Sequence, residues 1–367
     1  MAKEPLVSII INNYNYGQFL KKAIDSALGQ TYQRTEVVVV DDGSNDSSRQ
    51  IIASYFDRLI TVLKDNGGQA SAFNAGFSHS HGDMIVFLDA DDILLPHTAQ
   101  RIADVFLANP RIARIQYRLA VIDEAGTPNG AVVPPSYLQM PSGDLRPHAS
   151  ELNNYAAWWP PTSGHAFTRW TLLQILPMPE AAFRLCADYY LLRANALCAG
   201  IVSLDEICAC YRYHGSNNFH DIAINLEQTR RRVALTRDAH GYLQRFAQSV
   251  GVDGYGDETT DKRDVVFLAQ RMVSLKLDAQ RHPIQTDRLF SLFWRGAIAS
   301  LSRSNARLLI RVLYLLWFAA MLAAPRPLAR SLAEKFFHPE KRSNWNRLLS
   351  AFHCGSRRVS MKPQWLN

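Results

Sequence analysis

Val86-Phe87-Leu88-Asp89-Ala90-Asp91-Asp92 is the stretch on which the reading of this chain turns. An apolar run beginning at Met84 stops at Leu88 against three acids. A short apolar run bounded by Gly82-Asp83 and by charge reads as a buried strand. Its end places Asp89 and Asp91 in the loop just beyond a sheet. Neighbouring carboxylates repel one another, so such a cluster costs stability unless something positive binds there. A divalent cation with oxygen ligands is one answer. A solvated turn is the other, because Asp favours turns. The surrounding sequence decides between them.

Upstream, Leu6 to Ile11 is a continuous apolar run rich in β-branched residues, the pattern of a strand buried on both faces. It ends at Asn12-Asn13-Tyr14-Asn15-Tyr16-Gly17, which is loop chemistry. A helical pattern follows, with Phe19, Leu20, Ala23, Ile24, Ala27 and Leu28 on one face. Val37–Val40 is a second strand, ending at Asp41-Asp42-Gly43-Ser44, with Ser44 or Asn45 placed to cap the next helix. Leu59–Leu63 is a third strand, ending at Asp65-Asn66-Gly67-Gly68, and a helix is predicted over 69–78. After the fourth strand, Pro96 suits a helix start and the helix runs to about Asn109. Strand alternating with helix at this spacing means a doubly wound α/β sheet. Ligands of such sheets bind outside the carboxyl ends of the strands. All the Asn-, Asp- and Gly-rich loops fall at that edge, so a polar pocket is expected there. Neither G-x-x-x-x-G-K-[ST] nor a G-x-G-x-x-G after the first strand is present. A diphosphate would therefore need a cation, which the acids after Leu88 could hold.

The quoted pieces together resemble family 2 glycosyltransferases of the GT-A fold. The matching segments are Val7–Asn15, Val39–Ser44, Asn66–Gly68 with Phe73-Asn74, and Phe87–Asp92. The resemblance implies an inverting transfer of sugar from a nucleotide-diphospho-sugar, a UDP-sugar by expectation, with Mn²⁺ or Mg²⁺ as cofactor. It implies that Asn12, Tyr14, Asp42, Gly68 and Asn74 lie on the nucleotide side. It places Asp89 and Ala90 at the ribose or sugar, and Asp91 on the metal. Asp188, near the start of a predicted helix, takes the place of the family's general base; Ala187 stands where that Asp is often preceded by Glu. An Asp at a helix start also reads as a cap. Tyr211-Arg212-Tyr213-His214 matches the Tyr-Arg-x-His that brings a His, here His214, to the metal and diphosphate. Ser163 and Gly164 fall where the family keeps a small-residue loop beside the donor sugar. The Q-x-x-R-W segment of processive synthases is absent, which implies transfer of one sugar or a few.

The implied organisation is a GT-A type doubly wound mixed sheet with a helical C-terminal extension. Residues 1–118 form the nucleotide-sugar half, 119–221 the acceptor and catalytic half, and 222–367 the helical region. Within the middle third, residues 111–122 suggest one or two strands, 126–147 a long loop, and 201–204 with 209–213 a closing pair of strands. Trp158 and Trp159 could be core or could stack on sugar. A sugar-1-phosphate nucleotidyltransferase is the rival enzyme reading, but it wants a Gly-rich, basic loop after the first strand, and Asn12–Gly17 is not one. A non-catalytic glycan-binding scaffold of the same fold is the rival outside enzymes.

The 367 residues are 47% hydrophobic and 20% charged, ample for a core. Five cysteines with no export signal at the amino terminus suggest free thiols in a reducing, cytoplasmic setting. Cys208-Ala209-Cys210 lacks a second pair at zinc spacing, so buried thiols are the expectation. The net charge of +7 is uneven: Arg303–Asn367 carries 12 Lys/Arg against 2 Glu, and the residues before it carry 28 against 31 acids. The 13 apolar residues Val312–Ala324, flanked by arginines, are too few to span a bilayer. They fit an interfacial helix on anionic lipid, and equally a buried helix or a contact between copies. The expected partners are a nucleotide sugar, a glycan or lipid-linked acceptor, and the inner membrane face through 303–342. Self-association is left open. No nucleic acid is expected, because aromatic interleaving and a recognisable module are absent.

Overall fold

The structure, a computed structural model, describes residues 4–152, 159–214, 225–255, 264–302 and 308–337. These divide into two compact units. The first holds the described residues up to Pro147 and those of 159–214; the second holds 148–152 and the described residues from 225 onward.

The first unit is built on a nine-stranded sheet among the described residues. Its opening half follows the sequence pattern closely: β1 (Val7–Asn13), α1 (Gly17–Leu28), β2 (Thr35–Asp42), α2 (Ser48–Ala53), β3 (Ile60–Lys64), α3 (Gln69–Ser78) and β4 (Met84–Asp89). These strands lie in the order β3-β2-β1-β4, all parallel. The chain winds outward from β1 to β3 and then crosses back to β4, so the switch point lies between β1 and β4. Ligands of doubly wound sheets bind at the carboxyl ends of such a pair. The register aligns the polar ends: Asn12 is opposite Asp89, Asn13 opposite Asp41, and Asp42 opposite Lys64. Ile9, Ile11, Val37, Val39, Val86 and Leu88 are buried in a single core with Leu20, Ala23 and Ile24 of α1. On the other face, Gly76 of α3 sits so close to Ile10 that a Cβ would come within 2.3 Å of its Cγ2, which is how α3 reaches the sheet.

The sheet continues as β8-β6-β9-β5, with β7 pairing β6. These are β5 (Ile93–Leu94), β6 (Arg114–Ile122), β7 (Pro128–Val133), β8 (His165–Thr168) and β9 (Ile201–Arg212), with α4 (Thr98–Ala108), α5 (Arg169–Ile175) and α6 (Ala187–Cys198) between them. β8 runs antiparallel to β4 and β6, and β9 is parallel to β6, so the sheet is mixed. Three local expectations are corrected. Residues 126–147 are not all loop, because β7 folds back on β6 through a turn in which Asp123 Oδ1 accepts from the N–H groups of Gly126 and Thr127. The expected pair of strands at 201–213 is one strand, β9, whose register against β6 shifts on either side of Arg118. Neither Ser44 nor Asn45 caps α2, which starts at Ser48; the Ser44 hydroxyl is taken by Asn13 Nδ2 and the Asn15 N–H instead.

The second unit contains α7 (Leu226–Ser249), α8 (Val265–Leu277), α9 (Leu289–Ser302), α10 (Leu308–Ala323) and α11 (Arg326–Phe337). Its core joins Leu268, Met272, Leu292, Phe318 and Met321. Gly296 lies against the Phe318 ring at 2.4–2.5 Å from where a Cβ would stand, so a side chain there would push α9 off α10. No helix among the described residues is long and apolar enough to cross a membrane. Part of the 251–260 linker, Trp158, residues 215–224 and the basic tail beyond 337 lie outside the described residues.

Candidate active site

The site is assembled at the carboxyl ends of β1 and β4. Parallel pairing brings Asn12 beside Asp89, and Asn12 Nδ2 donates to Asp89 Oδ1 at 2.9 Å. Ser163, expected beside the donor, supplies the next contact: its Oγ accepts from the Asp89 N–H at 3.1 Å. A tight turn, Asp92 N–H to Asp89 O at 3.0 Å, then doubles the chain back. Ala90 is buried in the core between the two acids. Asp91 Oδ2 is 3.0 Å from His214 Nε2. Asp92 is buried, and its Oδ1 accepts from the Arg212 N–H at 2.9 Å. Arg212 is buried and spans the site's far wall, donating to the carbonyls of Asp91, Asp123 and Glu124.

The electrostatics are those of three crowded acids. Burial and the Asp91 charge push the Asp89 carboxyl up to about 7, although the Asn12 amide opposes this. Burial, Asp91 and Asp89 raise Asp92 well above the carboxylate range. Burial and the same three charges push the Tyr16 hydroxyl up to about 12. Tyr16 and Phe19 pack their rings on His214 at 5.7 and 4.9 Å between centroids, which fixes the imidazole beside Asp91. No group of three or more His, Cys, Asp or Glu able to enclose a metal is present among the described residues. A small divalent cation that keeps waters and substrate phosphates asks for only one or two protein ligands. Asp91 and His214 fit that requirement, and the raised acids beside them are groups that a cation would stabilise in their charged form.

Asp188 lies in the first turn of α6, after Cys186 in the left-handed region at φ 62°. It is not the cap. Its Oδ1 accepts from the Tyr189 N–H at 2.9 Å. Burial raises its carboxyl, and the Tyr189 N–H and the Arg193 charge pull it partly back. Its own charge adds to the elevation of Asp89, so the two acids share one electrostatic site.

What carries Asp188 there is a clamp between α3 and the segment before α6. Gln69 N–H donates to Arg184 O, and Gln69 Oε1 accepts from the Ala187 N–H, both at 2.9 Å. Asn74, expected as a donor contact, has its amide engaged with the same segment: Nδ2 donates to Met178 O and Glu180 Oε1, and Oδ1 accepts from the Met178 N–H. Asp42 is likewise engaged, since its carboxylate takes Lys64 Nζ at 2.6 Å and the N–H groups of Gly67 and Gly68 at 2.9 and 2.7 Å. Gly68 has φ +88°, and a Cβ there would fall 2.5 Å from Arg184 O. Gly68→Ala is expected to destabilise the fold by ~2 kcal/mol, from a left-handed backbone and a clash with main chain. It should lower both turnover and nucleotide affinity, because it displaces the segment that leads to Asp188 and distorts the loop that Asp42 holds. Chemical denaturation read beside turnover checks both. Tyr14 is exposed on the loop after β1.

The sequence profile of Glycosyl transferase family 2 matches residues 8–146. An uncharacterized glycosyltransferase of Nostoc sp. is 36% identical over 269 residues, covering 71% of this chain and 80% of that protein. The chain belongs to glycosyltransferase family 2. An uncharacterized glycosyltransferase of Rickettsia prowazekii is 45% identical over 93 residues, 25% of this chain and 29% of that one. Among solved structures, residues 1–349 of S. aureus TarS in complex with UDP-GlcNAc match with a TM-score of 0.58 at 17% identity, over 90% of this chain and 91% of that one. That likeness shows the GT-A fold.

In this family 2 glycosyltransferase, Asn12, Asp89, Asp91, Asp188 and His214 are brought together. Gly68, Asn74 and Asp42 are held in bonds that shape the loops around them. Sequence reasoning passed over Asp92 and Arg212 as functional residues. Both stood in quoted motifs, but nothing in the sequence said that the Asp92 carboxylate would close on the backbone of β9. Tyr16 was also passed over, and its role on His214 arises only from packing.

Proposed function

We propose that this protein is an inverting glycosyltransferase that moves a sugar from a nucleotide-diphospho-sugar, a UDP-sugar first among them, to a hydroxyl of a glycan or lipid-linked glycan in cell-surface polysaccharide synthesis. The observation that carries this reading is the crowding of Asp89, Asp91 and Asp92 at the β1–β4 switch point with His214 against Asp91. The cost of holding such charges together is lifted by a cation and a bound diphosphate. Asn12 and Asp89 would face the ribose or sugar. The loop that Asp42 organises with Lys64 and Gly68 would receive the base. Asp91 and His214 would hold Mn²⁺ or Mg²⁺, which when bound supplies Lewis-acid neutralisation of the departing diphosphate. Asp188, raised by burial and therefore a better base than an exposed carboxylate, would take the proton from the acceptor hydroxyl. TarS, which shares the fold, was solved in complex with UDP-GlcNAc, which makes UDP the first nucleotide to test. Calorimetry with UDP is expected to give an affinity at least about tenfold higher with Mn²⁺ than with EDTA, a difference of about 1.4 kcal/mol. Equal affinity in both conditions would remove the cation from the reading. UDP-sugar hydrolysis without acceptor would separate a transferase from a glycan-binding scaffold.

The second unit supports a peripheral membrane contact. α9 exposes Phe290, Trp294, Ile298 and Leu301 along one face, and α10 exposes Leu308, Leu309, Val312 and Leu316. Scattered exposed apolar residues are ordinary, but a run at helical spacing is what an interfacial helix presents to acyl chains. α10 has 16 residues, about 24 Å of helix, which is short of a bilayer. Trp294→Ser in the full-length protein is expected to weaken co-sedimentation with phosphatidylserine vesicles by about 5–10-fold, in line with loss of one large apolar side chain from the interface. Unchanged sedimentation, with self-association lost instead, would assign the face to a second copy.

A further inference from the structure

Close to Asp188 lies a group of buried donors that the chemistry above does not use. Arg114, the first residue of β6, is fully buried. Its Nη1 donates to Leu192 O at 2.5 Å, one turn along α6 from Asp188. Its Nε and Nη2 have no hydrogen-bond partner among the described residues. The guanidinium lies 4.3 Å from the centre of the Trp159 ring, and the Trp159 Nε1–H is also without a partner among the described residues. His165, fully buried and paired across the sheet with Gln116, donates Nε2–H to Pro160 O at 3.0 Å; burial and the Arg114 charge hold its pKa well below the usual imidazole range, so its Nδ1 is an acceptor and adds no donor to the cluster. Arg193 approaches the same Trp159 ring at 5.8 Å and lies over the ring of Tyr189, the residue after Asp188, at 3.4 Å. Trp159 and Arg193 are less enclosed than Arg114 and His165, at 7% and 8% exposure.

Buried donors are almost always paired, and an uncompensated buried cation is among the most costly groups a fold can hold. A contact needed only for packing would be made by an apolar side chain. The vacant edge of Arg114 is also the one that recognises oxyanions: Nε and Nη2 form the fork that takes a carboxylate side-on. Two other arginines fill that edge with an acid: Arg101 gives it to Glu206, and Arg271, similarly buried, gives it to Asp287. No acid takes that place beside Arg114 among the described residues. Burial and the Arg193 charge bring its guanidinium down to about 9, the response of a cation that lacks its counter-charge.

We propose that Arg114 and Trp159, with Arg193 at the rim, form an oxyanion subsite that receives a phosphate or carboxylate group carried by the acceptor. Calling the ligand an acceptor rests on the transferase reading; the binding of an oxyanion does not. Arg114 bonds α6 at Leu192, one helical turn along the chain from Asp188, which suits an anionic group on the same molecule as the hydroxyl that is to be glycosylated.

The test is the melting temperature of the full-length protein in EDTA, titrated with inorganic phosphate or with acetate at constant ionic strength. A saturable rise with at least one of them is expected, and the one that gives it names the group on the acceptor. Arg114→Met should weaken that anion by about tenfold or more, as for a charge-assisted bond. Trp159→Phe keeps a ring against Arg114, removes only the N–H, and should weaken it by roughly threefold. It keeps the test open if Arg114→Met does not fold. UDP affinity with Mn²⁺ should be unchanged in both variants. Absence of a saturable rise, or a rise that both variants retain in full, would overturn the subsite. Failure of the wild-type protein to bind UDP would overturn the donor reading and leave the subsite standing.

Discussion

Asp188→Asn is expected to lower sugar transfer by about 10²–10⁴-fold, the usual contribution of a positioned general base, while UDP binding stays essentially unchanged. Asn keeps the shape and can still accept from the Tyr189 N–H, so the start of α6 should remain intact. What it loses is the capacity to take a proton. The direction of the pH effect follows from the raised carboxyl. Asp188 works only when ionised, so the rate should fall as pH drops through its elevated value, an acid limb lying above the ordinary carboxylate range near 4. The residual activity of the variant should lack the part of that limb that Asp188 contributes. Rate measurements across pH at saturating donor, with calorimetric UDP affinity on the same samples, check the prediction. Wild-type turnover in Asp188→Asn would remove Asp188 from the mechanism.

Asp91→Asn is expected to lower transfer by ~10²-fold, since a metal's stabilisation of a leaving diphosphate amounts to several kcal/mol. The same change should abolish the Mn²⁺-dependent part of UDP binding. Stability should move the other way. The Asp91 charge is a cause of elevation for both Asp89 and Asp92, and removing it relieves repulsion among buried acids. Asn can still bond His214. The metal-free melting temperature of the variant should therefore equal or exceed that of the wild type, with the gain largest above pH 7, where Asp89 must otherwise ionise beside Asp91. A variant that melts well below the wild type would make Asp91 a structural residue. Activity lost together with a stability gain is the pattern of a site whose charges are arranged for a ligand rather than for the fold.

Both predictions concern residues that were legible in the chain, and the reason is local. A run such as Val7–Ile11 or Met84–Leu88 buries on both faces wherever it goes, so its strand character and the polar character of its end are set before any tertiary contact forms. Four such units in succession leave little choice but a doubly wound sheet, and the rule that ligands bind at the carboxyl edge then places Asn12, Asp42 and Asp89 together. The middle third was read less well. Residues 126–147 are rich in Pro and Gly, yet β7 forms there because β6 offers it an edge. The split reading of 201–213 failed because pairing along the whole length of β6 holds β9 together through polar residues.

By itself the sequence determined the alternation of strand and helix, the loop that carries three acids, and the absence of a ready-made phosphate cradle, because each depends on residues adjacent in the chain. Only the tertiary structure decided what those residues touch. It put Asn74 and Gln69 to work holding the segment before Asp188, turned Asp92 onto β9, set Tyr16 against His214, and left two nitrogens of Arg114 unpaired among the described residues beside Trp159. Each of these contacts joins residues far apart in the chain, and whether a buried polar group finds a partner depends on which distant segment packs against it.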